Sequence, residues 1–214
     1  RVRQDLLIAE GILAPYKPGA DPALLTEAQQ MALQRLRQLA AHEVGHALGF
    51  AHNFAASRAA TGSVLDYPHP QISLGADGQP RMKIAYDTGV GEWDKFIVAH
   101  AYGVFTPAQE QAALAKLRAD IQAKGYPYVS DADARTLNSA HEAGLLWDVP
   151  GDPLLGLQRL LAVRQVALAN FAAGALPPGW QLGDAERRLV PIYLLHRYRA
   201  GSVVRLLGGN RYAY

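Results

Sequence analysis

The 214-residue chain contains no cysteine. That excludes a disulfide framework, a thiolate zinc site and a cysteine nucleophile. Long apolar runs are also missing: no stretch of about 18 residues is apolar without charges, so no segment reads as a membrane span. There is no excess of one charge. The 21 Lys and Arg stand against 19 Asp and Glu, a formal net charge of +2, which leaves no general footprint for nucleic acid. No Met begins the chain and no secretory leader is visible, and it stops abruptly at Tyr214 after a Gly-rich turn. The expectation is a piece of a longer protein. What remains is half hydrophobic and 19% charged, the composition of a folded chain able to bury a core.

Strand patterning is scarce and helical patterning is common, so the expected fold class is mainly α. Asp5 to Leu13 reads as a short helix closed by Gly11 and Pro15. A long helix of strong helix formers runs from Ala23 to Phe50, with Asp21-Pro22 as its start and Leu25, Ala28, Leu36, Leu39 and Ala40 as apolar positions. Residues 51–90 lack helical period and carry Gly62, Pro68, Pro70, Gly75, Gly78 and Pro80. A loop that long is uncommon unless it has a function; Ile84 to Thr88 is its one candidate strand. Helices are expected again over Glu92–Tyr102, from Thr106-Pro107 to Lys124, around Asp133–Glu142, from Pro153 to Ala173, and from Asp184 to about Leu207 with a kink near Pro191. No composition shift marks a boundary, so residues 1–214 read as one catalytic-domain piece: an active-site helix to about 50, a loop region over 51–90 and a helical region over 91–214.

The decisive stretch is His42-Glu43-Val44-Gly45-His46-Ala47-Leu48-Gly49-Phe50-Ala51-His52. It reads HExxHxxGxxH. His42 and His46 are four apart on a helix, so their imidazoles share one face and can grip one metal ion. Glu43 sits where it can reach a metal-bound water. Gly49 can take a left-handed backbone, which stops the helix and lets His52 return as a third ligand. Three neutral histidines leave a fourth zinc position open for water, the pattern of a catalytic site.

This motif resembles the signature of the metzincin zinc endopeptidases. Ser63-Val64-Leu65-Asp66-Tyr67-Pro68 is similar to the turn that runs beneath the metal in that family, with Leu65 where Met is expected. HEVGHALGFAHNF with SVLDYP resembles a group of large bacterial secreted zinc-dependent metalloproteases. Arg1 to Tyr16, Gly91-Glu92-Trp93-Asp94-Lys95, Trp147-Asp148 and Gly151-Asp152-Pro153 extend the likeness, although only residues 42–68 are specific. The resemblance implies the helical C-terminal part of a metzincin-like domain whose upstream mixed sheet is absent here. It implies Zn2+ on His42, His46 and His52, and Glu43 as general base. A protein or peptide substrate follows, as does a secreted or periplasmic location. It also implies weak turnover or none by a chain without the sheet, and an exposed active-site helix open to a homodimer or another partner. Tyr67 is by the same resemblance a fifth ligand or an oxyanion stabiliser; a packing role for it stands equally open.

Other residues read more plainly. Asn53 orients His52 or merely forms a turn. His69, His100, His141 and His196 read as packing or surface residues. Asp131, Asp133, Asp148 and Asp152 lack the spacing of a calcium loop and read as helix caps. Arg197, Arg199, Arg205 and Arg211 read as a solvated helix face, and Trp93, Trp147 and Trp180 as packing. The implied activity is hydrolysis of internal peptide bonds through a zinc-activated water. The alternative is a degenerate metzincin that keeps zinc as a binding or interaction module without proteolysis.

Overall fold

The helical pattern is realised in eight α-helices among the described residues (2–59, 62–136 and 139–212) of the computed structural model. In chain order they are α1 Val2–Leu13, α2 Ala23–Ala47, α3 Glu92–Tyr102 and α4 Glu110–Ala123, then α5 Asp131–Ala134, α6 Pro153–Asn170, α7 Glu186–Tyr193 and α8 Arg197–Gly208. The only sheet among those residues pairs β1 Ser73–Leu74 with β2 Pro80–Arg81, antiparallel, with Ser73 opposite Arg81 and Leu74 opposite Pro80. The fold is therefore mainly α, as expected. No described helix is long and apolar enough to cross a membrane.

The chain divides into two compact units: residues 1–38, 69–88 and 154–200 form the first, and 39–68, 89–153 and 201–214 the second. The first has one apolar core. Ala9, Ile12 and Leu13 of α1 meet Ala28 and Met31 of α2, Leu160, Val163 and Ala167 of α6, and Ile192 of α7. The i, i+3, i+7 spacing on α6 puts its three residues on one face. Gly11 lets α1 approach α7, since a Cβ there would lie 2.5 Å from Ile192 Cδ1. Beside that contact the buried Arg188 donates from Nε to Glu10 Oε2 at 3.2 Å, and Tyr16 donates its hydroxyl to Glu10 Oε1 at 2.7 Å. Burial and the adjacent carboxylate push the Tyr16 phenol up to about 12.

The second unit holds two small clusters. Trp93 with Ile121, Tyr126 and Ala59 joins α3 to α4, and Phe54, Ala55, Val129, Ala134 and Ala143 form the other.

Several expectations need correction. Ile84 to Thr88 is not a strand. Gln34 of α2 accepts from the Ala85 and Tyr86 N–H groups at 2.8 and 3.1 Å and donates to Lys83 O at 3.1 Å, so a side chain takes the place of a neighbouring strand. The paired strands lie earlier, around Gly78, whose φ of +71° forms the turn. The expected last helix is two, broken between Tyr193 and Arg197, and the helix expected around 133–142 is only the four-residue α5, with 137 and 138 outside the described residues. On α2, Leu36 is 52% exposed, while Ala28, Met31, Arg35, Gln38, His42 and Gly45 make the buried stripe. Four of those six are not apolar, so hydrophobicity points to the wrong side of the helix. The C-terminal arginines are not all solvated either: Arg199 is buried and donates to Gly156 O at 2.8 Å, and Arg205 donates to the carbonyls of Gly144 and Ala134.

Candidate metal centre

The centre is built within the second unit from the C-terminal end of α2. The helix stops at Ala47, three residues before Phe50. Gly49 has φ +87°, a backbone that a Cβ would strain. The Phe50 N–H reaches Gly45 O at 3.1 Å and the Gly49 N–H reaches His46 O at 2.9 Å, the paired bonds of a Schellman cap. The cap has a second use. It swings the Phe50 carbonyl back over the helix end, where it accepts from His46 Nδ1 at 2.8 Å. His52 lies beyond the helix, as the glycine stop requires.

The other two rings are held in the same manner. His42 Nδ1 donates to Val64 O at 2.7 Å, and His52 Nδ1 donates to Asp131 Oδ2 at 2.7 Å. Each acceptor is a carbonyl or a carboxylate, so each Nδ1 carries a proton, and each ring in its neutral form presents a bare Nε2. Those Nε2 atoms converge: His46 lies 3.0 Å from His42 and 3.2 Å from His52. Four-coordinate zinc with Zn–N bonds of 2.0–2.1 Å would set ligand nitrogens about 3.3 Å apart. Lone pairs facing one another at this separation repel, and a cation among them is what the arrangement accommodates. Burial holds the His42 imidazole below its ordinary range, which keeps it neutral. Among the described residues these three histidines are the only group placed to hold a metal ion.

The supports are themselves supported. Val64 sits in the turn after His52, and that turn is fastened by Asp94 from the first turn of α3. Asp94 Oδ2 accepts from the Val64 N–H at 3.0 Å and the Gly91 N–H at 2.6 Å, and Asp94 Oδ1 accepts from the Ser63 hydroxyl, which in turn accepts from the Leu65 N–H at 2.9 Å. Leu65 is 1% exposed. Its Cδ2 would lie 2.7 Å from a Cβ at Gly45, so it packs on α2 one residue from His46. That is the apolar supporting contact expected of the residue in the Met position. Asp66 beside it is fully buried, and burial followed by the nearby Asp148 holds its carboxyl well above the ordinary range.

A family model described as Met-zincin matches residues 25–214. The chain belongs to the Met-zincin family. No curated protein and no solved structure matches it. The three-histidine cluster fits the zinc of a Met-zincin.

Around the cluster this Met-zincin places Glu43 and Tyr67, together with residues that motif reading left aside. Glu43 is exposed on α2 next to the buried His42. The Tyr67 ring lies 4.8 Å from that of His52 and 5.5 Å from that of His42, and its hydroxyl is 3.5 Å from Arg135 Nη1. Trp147, read as packing, stacks on Tyr67 at 5.3 Å and donates its backbone N–H to Tyr67 O at 2.9 Å. Its φ of +62° is unusual for a bulky residue. Asp131, read as a cap, is instead the acceptor for His52. No sequence signal could have paired them, because 79 positions separate the two. Asn53 does more than turn the chain. Fully buried, it accepts from the Ala55 and Val129 N–H groups, both at 3.1 Å, and donates to Pro127 O at 3.0 Å. His69 lies outside the cluster, buried, with Nδ1 donating to Pro70 O at 2.9 Å. His141, also outside it, bonds Tyr212 O and the Ala143 N–H.

Proposed function

We propose that the protein is a zinc-dependent endopeptidase in which His42, His46 and His52 hold the metal. The observation that carries the reading is the common orientation of the three rings: every Nδ1 is committed to an acceptor and every Nε2 faces the same point. Bound zinc would supply Lewis acidity, lowering the pKa of a water toward neutrality and polarising a peptide carbonyl. The residues of the chain do the rest. Glu43, exposed beside His42, takes a proton from the attacking water and delivers it to the leaving amine. Tyr67, held by Trp147 on one side and Arg135 on the other, offers its hydroxyl to the developing oxyanion. A water nucleophile needs no covalent intermediate, which agrees with a chain without cysteine. The substrate class is protein or peptide, and the family resemblance favours a secreted or periplasmic setting.

The test is turnover of a generic protein substrate by the wild type and Glu43→Ala at equal zinc loading. Turnover lost in the variant, with zinc retained, is the expected result. Equal non-zero turnover would show that Glu43 is not the general base, whereas no turnover in either would make this chain a zinc-binding module and not a protease.

A further inference from the structure

The three histidines are not supported alike. His42 and His46 lean on backbone carbonyls, Val64 O and Phe50 O, and both belong to α2. His52 belongs to no helix and leans on a carboxylate. A hydrogen bond from imidazole to carboxylate is charge-assisted and stronger than one to a neutral carbonyl. It also makes the imidazole a better electron donor to a metal. The ligand with the loosest chain therefore has the strongest partner.

That partner is held in place from several sides. Arg135 Nη1 donates to Asp131 Oδ1 at 3.0 Å, leaving Oδ2 for His52. The approach to Asp131 is pinned by Asn53 to Pro127 O and the Val129 N–H, and by the Phe54 N–H to Val129 O at 2.8 Å. After it, Arg205 Nη2 donates to Ala134 O at 3.0 Å. Asn53 is the residue next to His52, so one buried amide ties the third histidine's own loop to the segment that carries its acceptor. The Asp131 and Arg135 side chains are 43% and 48% exposed. An ion pair so open to water contributes little to folding, which leaves orientation of His52 as what it does.

We propose that Asp131, clamped by Arg135, is the positioning residue for the third zinc ligand: its charge and its fixed geometry aim His52 and strengthen it as a donor. The proposal rests on the assignment of His42, His46 and His52 as the ligands.

The test uses the full chain and zinc alone. Apparent zinc affinity is measured by competition with a chromophoric chelator at one neutral pH, for the wild type, Asp131→Ala, Asp131→Asn, Arg135→Gln and the neighbouring control Asp133→Asn. Loss of an outer hydrogen-bond partner of this kind lowers metal affinity about 10- to 100-fold, and that is the loss expected for Asp131→Ala. Asp131→Asn keeps an acceptor oxygen without the charge and should fall between Asp131→Ala and the wild type. Arg135→Gln should lose less than about 5-fold, the scale of an exposed pair, and Asp133→Asn nothing. Cobalt substitution gives a second readout: the visible bands of the Co2+ form should change in Asp131→Ala and not in Asp133→Asn. Wild-type affinity and an unchanged cobalt spectrum in both Asp131 variants would overturn the proposal. A weakened Asp131→Ala beside a fully competent Asp131→Asn would overturn the role of charge. If Asp131→Ala does not fold by circular dichroism, the near-isosteric Asp131→Asn decides. His46→Ala, run in parallel, separates the two levels. Full zinc in that variant would fault the ligand set, whereas zinc lost there with both Asp131 variants unaffected would fault only this inference.

Discussion

The two units are stabilised by different physics. The first is held by one contiguous apolar core drawn from α1, α2, α6 and α7. Among the described residues the second has two small clusters and fastens its loops through polar side chains, with the buried Asn53 and Asp94 and the half-buried Arg205 each bonded to backbone from distant parts of the chain. The difference follows from the task. Apolar packing is non-directional and fixes volume, whereas three imidazoles that must meet at one point need directional bonds, and hydrogen bonds supply direction. A metal site laid on irregular backbone also leaves N–H and C=O groups without a ladder, and Asn53 and Asp94 satisfy those groups while aiming the ligands.

The comparison breaks most sharply if the metal side is removed. His46→Ala should abolish stoichiometric zinc, read by elemental analysis of the purified protein. Chelation of the wild type should have the same cause and a local effect. Binding at free zinc about 1,000 times Kd contributes roughly 4 kcal/mol to the folded state, so chelated protein should exchange amide hydrogens faster over 52–59, 62–67 and 127–134, with α1 and α7 unchanged. Faster exchange in both units alike would show that the two are not separately stabilised. The opposite lesion is Leu160→Ala in the apolar core. A fully enclosed leucine truncated to alanine costs about 2–5 kcal/mol, measured by urea midpoint, with zinc stoichiometry kept. Asn53→Ala falls next. It strands two buried N–H groups and one carbonyl, each worth about 1–3 kcal/mol only where water cannot reach it, so a total of about 3 kcal/mol is expected, together with weaker zinc binding that Leu160→Ala does not show.

A smaller effect concerns pH in the first unit. Burial, and then the charge of Arg199, lower His69 from its ordinary 6.5 to about 3. The folded chain keeps this ring neutral, while the unfolded chain takes up a proton below about pH 6.5. Stability from this site is therefore intact above 6.5 and is lost as pH falls through the window from 6.5 toward 3. At pH 5 the loss is roughly 2 kcal/mol relative to neutrality. His69→Gln cannot take the proton, so its urea midpoint should fall less between pH 7 and pH 5 than that of the wild type. Identical slopes would refute the assignment. The smallest change expected is Leu65→Met. It nearly conserves volume, the residue packs on Gly45 and makes no bond to metal, and the cost should stay under about 1.5 kcal/mol with zinc unchanged.

The sequence by itself determined what is local. Four-residue spacing puts His42 and His46 on one face, Gly49 ends the helix because only a residue without Cβ takes that φ freely, and His52 falls in the returning loop; all three were legible without coordinates. So were the mainly helical class and the packing role of Leu65. Tertiary structure decided the rest. Which side of α2 is buried could not be read from hydrophobicity, because its inner stripe is Arg35, Gln38, His42 and Gly45 as much as Ala28 and Met31. Ile84 to Thr88 has the composition of a strand, yet a glutamine side chain met its backbone first. Asp131 and Arg205 look like a cap and solvated charge, because a carboxylate or guanidinium carries no mark of the partner it will find. Periodicity and turn chemistry act over a few residues and are written in neighbouring letters, whereas the hydrogen bonds that aim the histidines join residues up to 79 positions apart and exist only once the chain has folded.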